Sequence, residues 1–264
     1  MHSVIKEIVK ATEKRVEDIL ARENELPDIN FKSRDILANI KKKQSENKVP
    51  VISEVKPASP RGKIMDISPF DAAKIAKKME RAGAIAISVL TEPDFFDGSI
   101  SNLQNVRKNV DIPVLRKDFL IDEVQMNESK SDLLLIIVGI LGESSKDMVK
   151  RAIEHGFEPL VEVHSEEELL IALDTDTRII GINNRDLRTL EISLEMTVQL
   201  APMIRNFDKE NGTKHIIISE SGIENISDVI KVIDAGADGI LVGTSIIKSN
   251  DIYEKTKELV EALN

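Results

Sequence analysis

From residue 51 onward the chain alternates between short apolar runs and amphipathic stretches, and this alternation limits its fold more than any other feature. The apolar runs fall at 51–55, 84–89, 113–116, 132–138, 159–163, 178–182, 215–219 and 238–242, with β-rich sequences such as IIIS and ILVG. Helical patterns fill the intervals at 69–82, 100–109, 122–129, 144–155, 165–173, 194–205, 225–235 and 251–263. Strands that alternate with helices specify a parallel sheet with helices outside it. Eight such units in roughly 215 residues fit a closed (β/α)8 TIM barrel of the α/β class. An open doubly wound sheet is the alternative, but no G-x-G-x-x-G turn follows the first strand. Ser68-Pro69 reads as a helix cap and first turn, and Gly83, Gly156 and Gly236 stand where helices end. Ahead of the first strand, 4–22 and 33–46 read as amphipathic helices broken at Leu26-Pro27-Asp28. Residues 1–264 are expected to form one barrel domain, with 1–47 as a helical extension over an end or side.

Composition narrows the chemistry. The 264 residues carry a net charge of −10 and only 3% aromatics, so neither a basic face nor a stacking platform for nucleic acid is expected. No apolar run approaches the length of a membrane span, and the N-terminus lacks a signal-peptide core. A cytoplasmic protein is expected, as a monomer or weak homo-oligomer. Without cysteine there is no thiolate ligand or nucleophile, and His2, His155, His164 and His215 have no metal-ligand spacing. No metal is expected. His164 reads as an ordinary loop side chain before Ser165, and Met196 and Met203 read as core.

In a barrel the working residues sit at the C-terminal ends of the strands. Side chains alternate along a strand, so each inward set can be read by parity. Ile52 aligns with Glu54 and Lys56, Leu115 with Lys117 and Phe119, and Leu160 with Glu162. Gly181 aligns with Asn183 and Arg185, and Ile218 with Glu220. Acids and bases that converge in this way shift one another's pKa values and make proton transfer feasible. Ser221-Gly222 closes the seventh run and Gly243-Thr244-Ser245 the eighth, where phosphate sites recur in such barrels. A small phosphorylated molecule is the expected ligand.

Taken in order, VISEVKPASPRG, SVLTEPDFFDGS, IPVLRKDFLIDEVQ, EPLVEVHSEEEL, GINNRDLRTLEI, ISESGI and GILVGTSI resemble the indole-3-glycerol phosphate synthase family over nearly the whole chain. The resemblance implies a (β/α)8 barrel with an N-terminal helical extension. It implies closure of an indole ring from 1-(2-carboxyphenylamino)-1-deoxyribulose 5-phosphate, without cofactor or metal. By motif, Lys117 would be the general acid on the keto oxygen, Glu162 would act in the proton transfers of dehydration, and Lys56 would hold the substrate carboxylate. Glu54, Asn183, Arg185, Glu220 and Ser221 would complete the polar ring. Ser59, Gly222, Gly243 and Thr244 would contact phosphate, and Phe96, Phe119 and Leu135 would wall the anthranilate ring. Two departures stand out. The stretch VQMNESKSDLLLI is shorter than the usual pattern, and Lys56 is followed by Pro57-Ala58 where a more basic pair is frequent. Competing readings on the same barrel are a phosphosugar isomerase, a Schiff-base aldolase using Lys117, or a phosphate-binding scaffold. The scaffold leaves Glu54, Glu162 and Glu220 without a role.

Overall fold

Eight parallel strands pair in chain order and close on themselves in the computed structural model, which describes residues 2–23, 31, 33–60 and 62–264. They are β1 (Val51–Val55), β2 (Ala86–Leu90), β3 (Val114–Lys117), β4 (Leu133–Ile137), β5 (Glu158–Val163), β6 (Ile179–Asn183), β7 (Ile216–Glu220) and β8 (Gly239–Val242). The closed ring rules out the open sheet. The Leu26-Pro27-Asp28 break lies outside the described residues. Among the described residues no helix is long and apolar enough to cross a membrane.

The main helices are α1 (Ser3–Leu20), α2 (Ile36–Ser45), α3 (Pro69–Arg81), α4 (Ile100–Asn109), α5 (Ser145–Glu154), α6 (Glu166–Leu173), α7 (Glu195–Asn211), α8 (Ile226–Asp234) and α9 (Ile252–Val260). Ser68 caps α3 by accepting from the Asp71 amide, with Pro69 in the first turn as expected. Gly83, Gly156 and Gly236 all take positive φ at the helix ends. One expected helix is not α. Residues 122–129 form a 3-10 helix, Glu123–Glu128, started by a reciprocal Asp122–Gln125 cap. Its outer face is covered by α1, whose Val16 and Ile19 pack on Val124. The short stretch after β3 therefore borrows its cover from the N-terminus.

Strand residues divide strictly by parity. Val51, Val55, Val114, Ile136, Val161, Ile180 and Ile217 point outward into the core shared with the helices. Ile52, Leu115, Leu133, Leu160, Ile179, Ile216 and Ile218 fill the barrel interior. Burial on both faces is why these strands read as continuous apolar runs.

The described parts of the N-terminal extension reach both ends of this interior column. Ile36 and Ile40 of α2 plug the N-terminal end of the strands. Asn39 donates to the Ile85 carbonyl at 3.1 Å, and the Arg34 amide donates to Asp132 at 2.9 Å, both just before strands begin. α1 crosses the opposite end. The His2 amide donates to the Leu187 carbonyl beyond β6, Ile5 and Ile8 lie on the interior column, and Arg15 pairs with Asp118 at 2.6 Å beyond β3.

Ile40 is fully buried in this plug. Ile40→Ala should cost about 2–5 kcal/mol, the range for a large-to-small core change. The urea unfolding midpoint reads it. An unchanged midpoint would show that α2 does not support the barrel.

Candidate active site

At the C-terminal mouth, strand register sets side chains from different strands beside one another. Glu54 pairs in register with Ser88, Leu90 with Lys117, Glu162 with Gly181, and Asn183 with Glu220. Lys117 is the centre. Its Nζ donates to Glu220 Oε2 at 2.7 Å and lies 3.6 Å from Glu54 Oε2. Glu54 also holds Lys56, with Nζ 3.2 Å from Oε1.

Two inward glycines make this crowding possible. A side chain at Gly243 would collide with the Glu54 carboxylate. One at Gly181 would press on Glu220 and come within 2.7 Å of Leu160. Gly243 has an ordinary negative φ, so what it provides is space for Glu54 rather than an unusual backbone.

A cavity of about 410 Å³ opens at this end, roofed in part by Ile5 of α1. The sequence-derived candidates Glu54, Lys56, Ser59, Phe96, Lys117, Phe119, Leu135, Glu162, Asn183, Arg185, Ser221, Gly222, Gly243 and Thr244 all line it. Glu220 does not. It is fully buried behind the Lys117 ammonium, which donates a hydrogen bond to it. Phe96 and Phe119 stand 6.0 Å apart by ring centroids, and the Lys56 ammonium lies 5.8 Å from the Phe96 ring centre. One wall is thus apolar, with a cation at its edge.

At the loops after β7 and β8, Ser221 and Gly222 both take positive φ and bend the chain along the cavity. The short helix Thr244–Ile247 starts at Gly243 with no side-chain cap. Its first amides have no partner within the helix. Ser245 Oγ donates to the Ile223 carbonyl at 3.0 Å and ties the two loops together. Lys248 also lines this region, and the sequence reading missed it.

Two further groups were missed. Asn184 is the neighbour of the chosen Asn183, but it turns outward. It donates to Ser219 and to the Glu220 and Ser221 carbonyls, and accepts from Thr197 of α7. It fixes the ends of β6 and β7. The doubled asparagine in GINNRDL was the available signal. His164, read as a plain loop residue, is buried with Nε2 3.1 Å from Glu162 Oε1 and Nδ1 3.1 Å from Glu168 Oε2. The Nε2 approach is a charge contact off the line of a straight hydrogen bond.

These contacts set the protonation states. Burial alone would lower the Lys117 pKa, but Glu220, Glu54 and Glu162 outweigh it and hold the ammonium well above the usual lysine range. Burial would raise Glu54, yet Lys56 and Lys117 bring it below the ordinary carboxylate value. Glu162 is pushed up by burial but pulled further down, chiefly by His164 and then Lys117, to about 2. For Glu220 burial wins over Lys117, and repulsion from Glu162 and Glu54 adds to it, so its pKa rises to about 7. Three carboxylates facing one ammonium cannot all be equally content as anions.

The indole-3-glycerol phosphate synthase family model matches residues 3–259. The indole-3-glycerol phosphate synthase of Methanopyrus kandleri is 40% identical over 94% of this chain and 96% of its own length. That of Aquifex aeolicus is 44% identical over 80% of both chains, and that of Methanocaldococcus jannaschii is 42% identical over 88% of this chain and 86% of its own. Among solved structures, (S)-3-O-geranylgeranylglyceryl phosphate synthase from Thermoplasma acidophilum superposes with a TM-score of 0.58 at 16% identity, over 86% of this chain and 97% of that one. That likeness shows the barrel fold alone.

Gly243→Ala should displace the Glu54 carboxylate and destabilise the protein by about 1–3 kcal/mol, the range for overpacking. Urea denaturation and a crystal structure of the variant would check this. Glu54 unmoved, at unchanged stability, would remove the steric role assigned to Gly243.

Proposed function

The chain belongs to the indole-3-glycerol phosphate synthase family, and we propose from that premise how its own side chains divide the work. It is a carboxy-lyase of tryptophan biosynthesis. It converts 1-(2-carboxyphenylamino)-1-deoxyribulose 5-phosphate to indole-3-glycerol phosphate, CO2 and water. The aryl carbon that carries the carboxylate bonds to the keto carbon. CO2 then leaves, and loss of the former keto oxygen as water completes the indole.

The observation that carries our assignment is the Lys117 ammonium, 2.7 Å from Glu220 and facing a cavity with one apolar wall. We assign Lys117 as the general acid on the keto oxygen. As the carbon–carbon bond forms, that oxygen gains alkoxide character. An ammonium held so firmly by carboxylates gives its proton to such a basic oxygen and to little else. Glu220 and Glu54 restore the ammonium between turnovers by favouring its charge. The same pairing opposes the aldolase reading, since a Schiff-base lysine must first lose its proton.

Lys56 suits the substrate carboxylate, placed over the Phe96 ring and held by Glu54. The anthranilate ring lies against Phe96, Phe119 and Leu135. Glu162, an anion steadied by His164, takes the proton lost in dehydration. Asn183 and Arg185 complete the polar ring. The Asn183 side chain accepts from the Arg185 amide at 3.0 Å, and the Arg185 guanidinium donates to the Leu190 carbonyl at 3.2 Å. At the far end, Ser59, Gly222, Gly243 and Thr244 receive the phosphate. The bent backbone at Ser221–Gly222 and the first amides of the Thr244–Ile247 helix support that placement. We further propose that residues 1–264 act as one barrel domain, with 1–47 as its N-terminal helical extension. A biosynthetic phosphorylated substrate supports a cytoplasmic location, and we expect a monomer or weak homo-oligomer.

Lys117→Met keeps the apolar stem and removes the charge. Glu220, already poised to take up a proton, becomes neutral rather than leaving a buried unpaired anion, so the barrel survives. Turnover should fall at least by the factor of about 10²–10⁴ typical of a lost acid–base group. Lys117→Arg should fail as well, since guanidinium does not give up its proton in proteins. Single-turnover indole fluorescence with saturating substrate measures both against little background, because the chain has no Trp. A near-normal rate in Lys117→Arg would mean that Lys117 supplies only a fixed charge and that the acid is Lys56.

A further inference from the structure

His164 lies just beyond β5, and both of its ring nitrogens face carboxylates. Nδ1 is 3.1 Å from Glu168 Oε2, and Nε2 is 3.1 Å from Glu162 Oε1. A neutral imidazole has one N–H and would set its lone pair against one of the two anions. The imidazolium meets both anions with positive charge, through the Nδ1 hydrogen bond to Glu168 and the Nε2 charge contact to Glu162.

Glu168 is built to serve this ring. Ser165 caps α6 by accepting from the Glu168 amide. In an ordinary capping box the glutamate three residues on would reach back to the amide of the cap residue itself. Here Glu168 reaches one residue earlier and accepts from the His164 amide at 2.8 Å, with the same oxygen that faces the ring. Its other oxygen lies against Gly139, where a β-carbon would come within 2.8 Å. The carboxylate is thus seated on one side by backbone and on the other by a glycine.

We propose that His164 is a positioning residue for the reaction: clamped by Glu168, it orients Glu162 and keeps it an anion for proton transfer. This rests on the reading of Glu162 as the group that takes the dehydration proton. Each titratable group around the pair has a place. Glu162 faces the ring from β5 and Glu168 from α6, while Arg188, in the loop after β6, acts on Glu168 from outside. Across the mouth Lys117 and Glu220 face Glu162 from β3 and β7, beside the Asn183 amide of β6. Burial lowers the His164 pKa, but Glu162 and Glu168 outweigh it and raise it from 6.5 to about 9. With the folded value above the unfolded one, the stabilisation is complete below about 6.5 and is lost as the pH climbs through about 9. The alkaline limb of kcat should follow the same proton.

The test is the pH profile of kcat and KM for wild type, His164→Gln, Glu168→Gln and Glu162→Gln, each checked for folding by circular dichroism. His164→Gln should lower kcat at neutral pH at least tenfold with KM within threefold, and should lose the alkaline limb near pH 9. Glu168→Gln keeps the shape but removes one of the two charges on the ring, so that limb should move to lower pH by at least half a unit. A folded His164→Gln or Glu168→Gln whose profile superposes on wild type overturns the proposal. If His164→Gln does not fold, the Glu168→Gln limb decides alone. Glu162→Gln separates the two claims. If it is inactive while the other profiles are unmoved, only His164's role falls; if it turns over normally, the role of Glu162 falls first.

Discussion

A part-buried lysine ammonium ringed by carboxylates is the interaction on which the rest of this molecule depends. Lys117 lies 2.7 Å from Glu220 and 3.6 Å from Glu54, at the end of a strand whose lower half is pure hydrocarbon. Away from water an unpaired ammonium would shed its proton and an unpaired carboxylate would take one up. Placed together, they keep charge where a reaction can use it. The arrangement is a poor source of stability, because desolvation consumes much of the Coulombic gain. Its value lies in the protonation states it fixes: an ammonium on Lys117, an anion on Glu162, and an intermediate state on Glu220.

The barrel is what allows that concentration of charge. Eight strands bring eight C-terminal ends to one volume, and the interior below is sealed by aliphatic side chains. The plug from α2 closes the N-terminal end of the column, and α1 partly covers the other end, where the mouth cavity leads to the charged ring. Glycine at 181 and 243 then leaves room for carboxylates that a barrel with larger inward side chains would exclude. Fold and chemistry share one economy of space here.

Most of this was legible in the sequence because parity is rigid. Once Ile52, Leu115, Leu160 and Ile218 were placed inside, Glu54, Lys117, Glu162 and Glu220 had to follow. Expected and observed strands differ by at most two residues at either end. Other features follow from three-dimensional pairing that no spacing encodes. Glu220 has the inward parity but sits behind Lys117, since the lysine stem reaches over it to the cavity. Residues 122–129 have helical composition, yet a 3-10 turn suffices once α1, about a hundred residues earlier in sequence, covers them. His164 looked ordinary because its two partners lie two residues before it and four after it, on a strand and a helix that only the turn at Ser165 brings together.

The most direct test is to titrate Lys117 itself by NMR of enzyme labelled at the lysine ε-carbons, assigned with Lys117→Met, from about pH 7 to 11 in wild type and Glu220→Gln. The account predicts that in wild type the Lys117 resonance stays that of an ammonium past the ordinary lysine value of 10.5. In Glu220→Gln it should titrate at clearly lower pH. A wild-type Lys117 that loses its proton at or below 10.5, unaffected by Glu220→Gln, would contradict the claim that this ring of carboxylates holds the acid in its charged form.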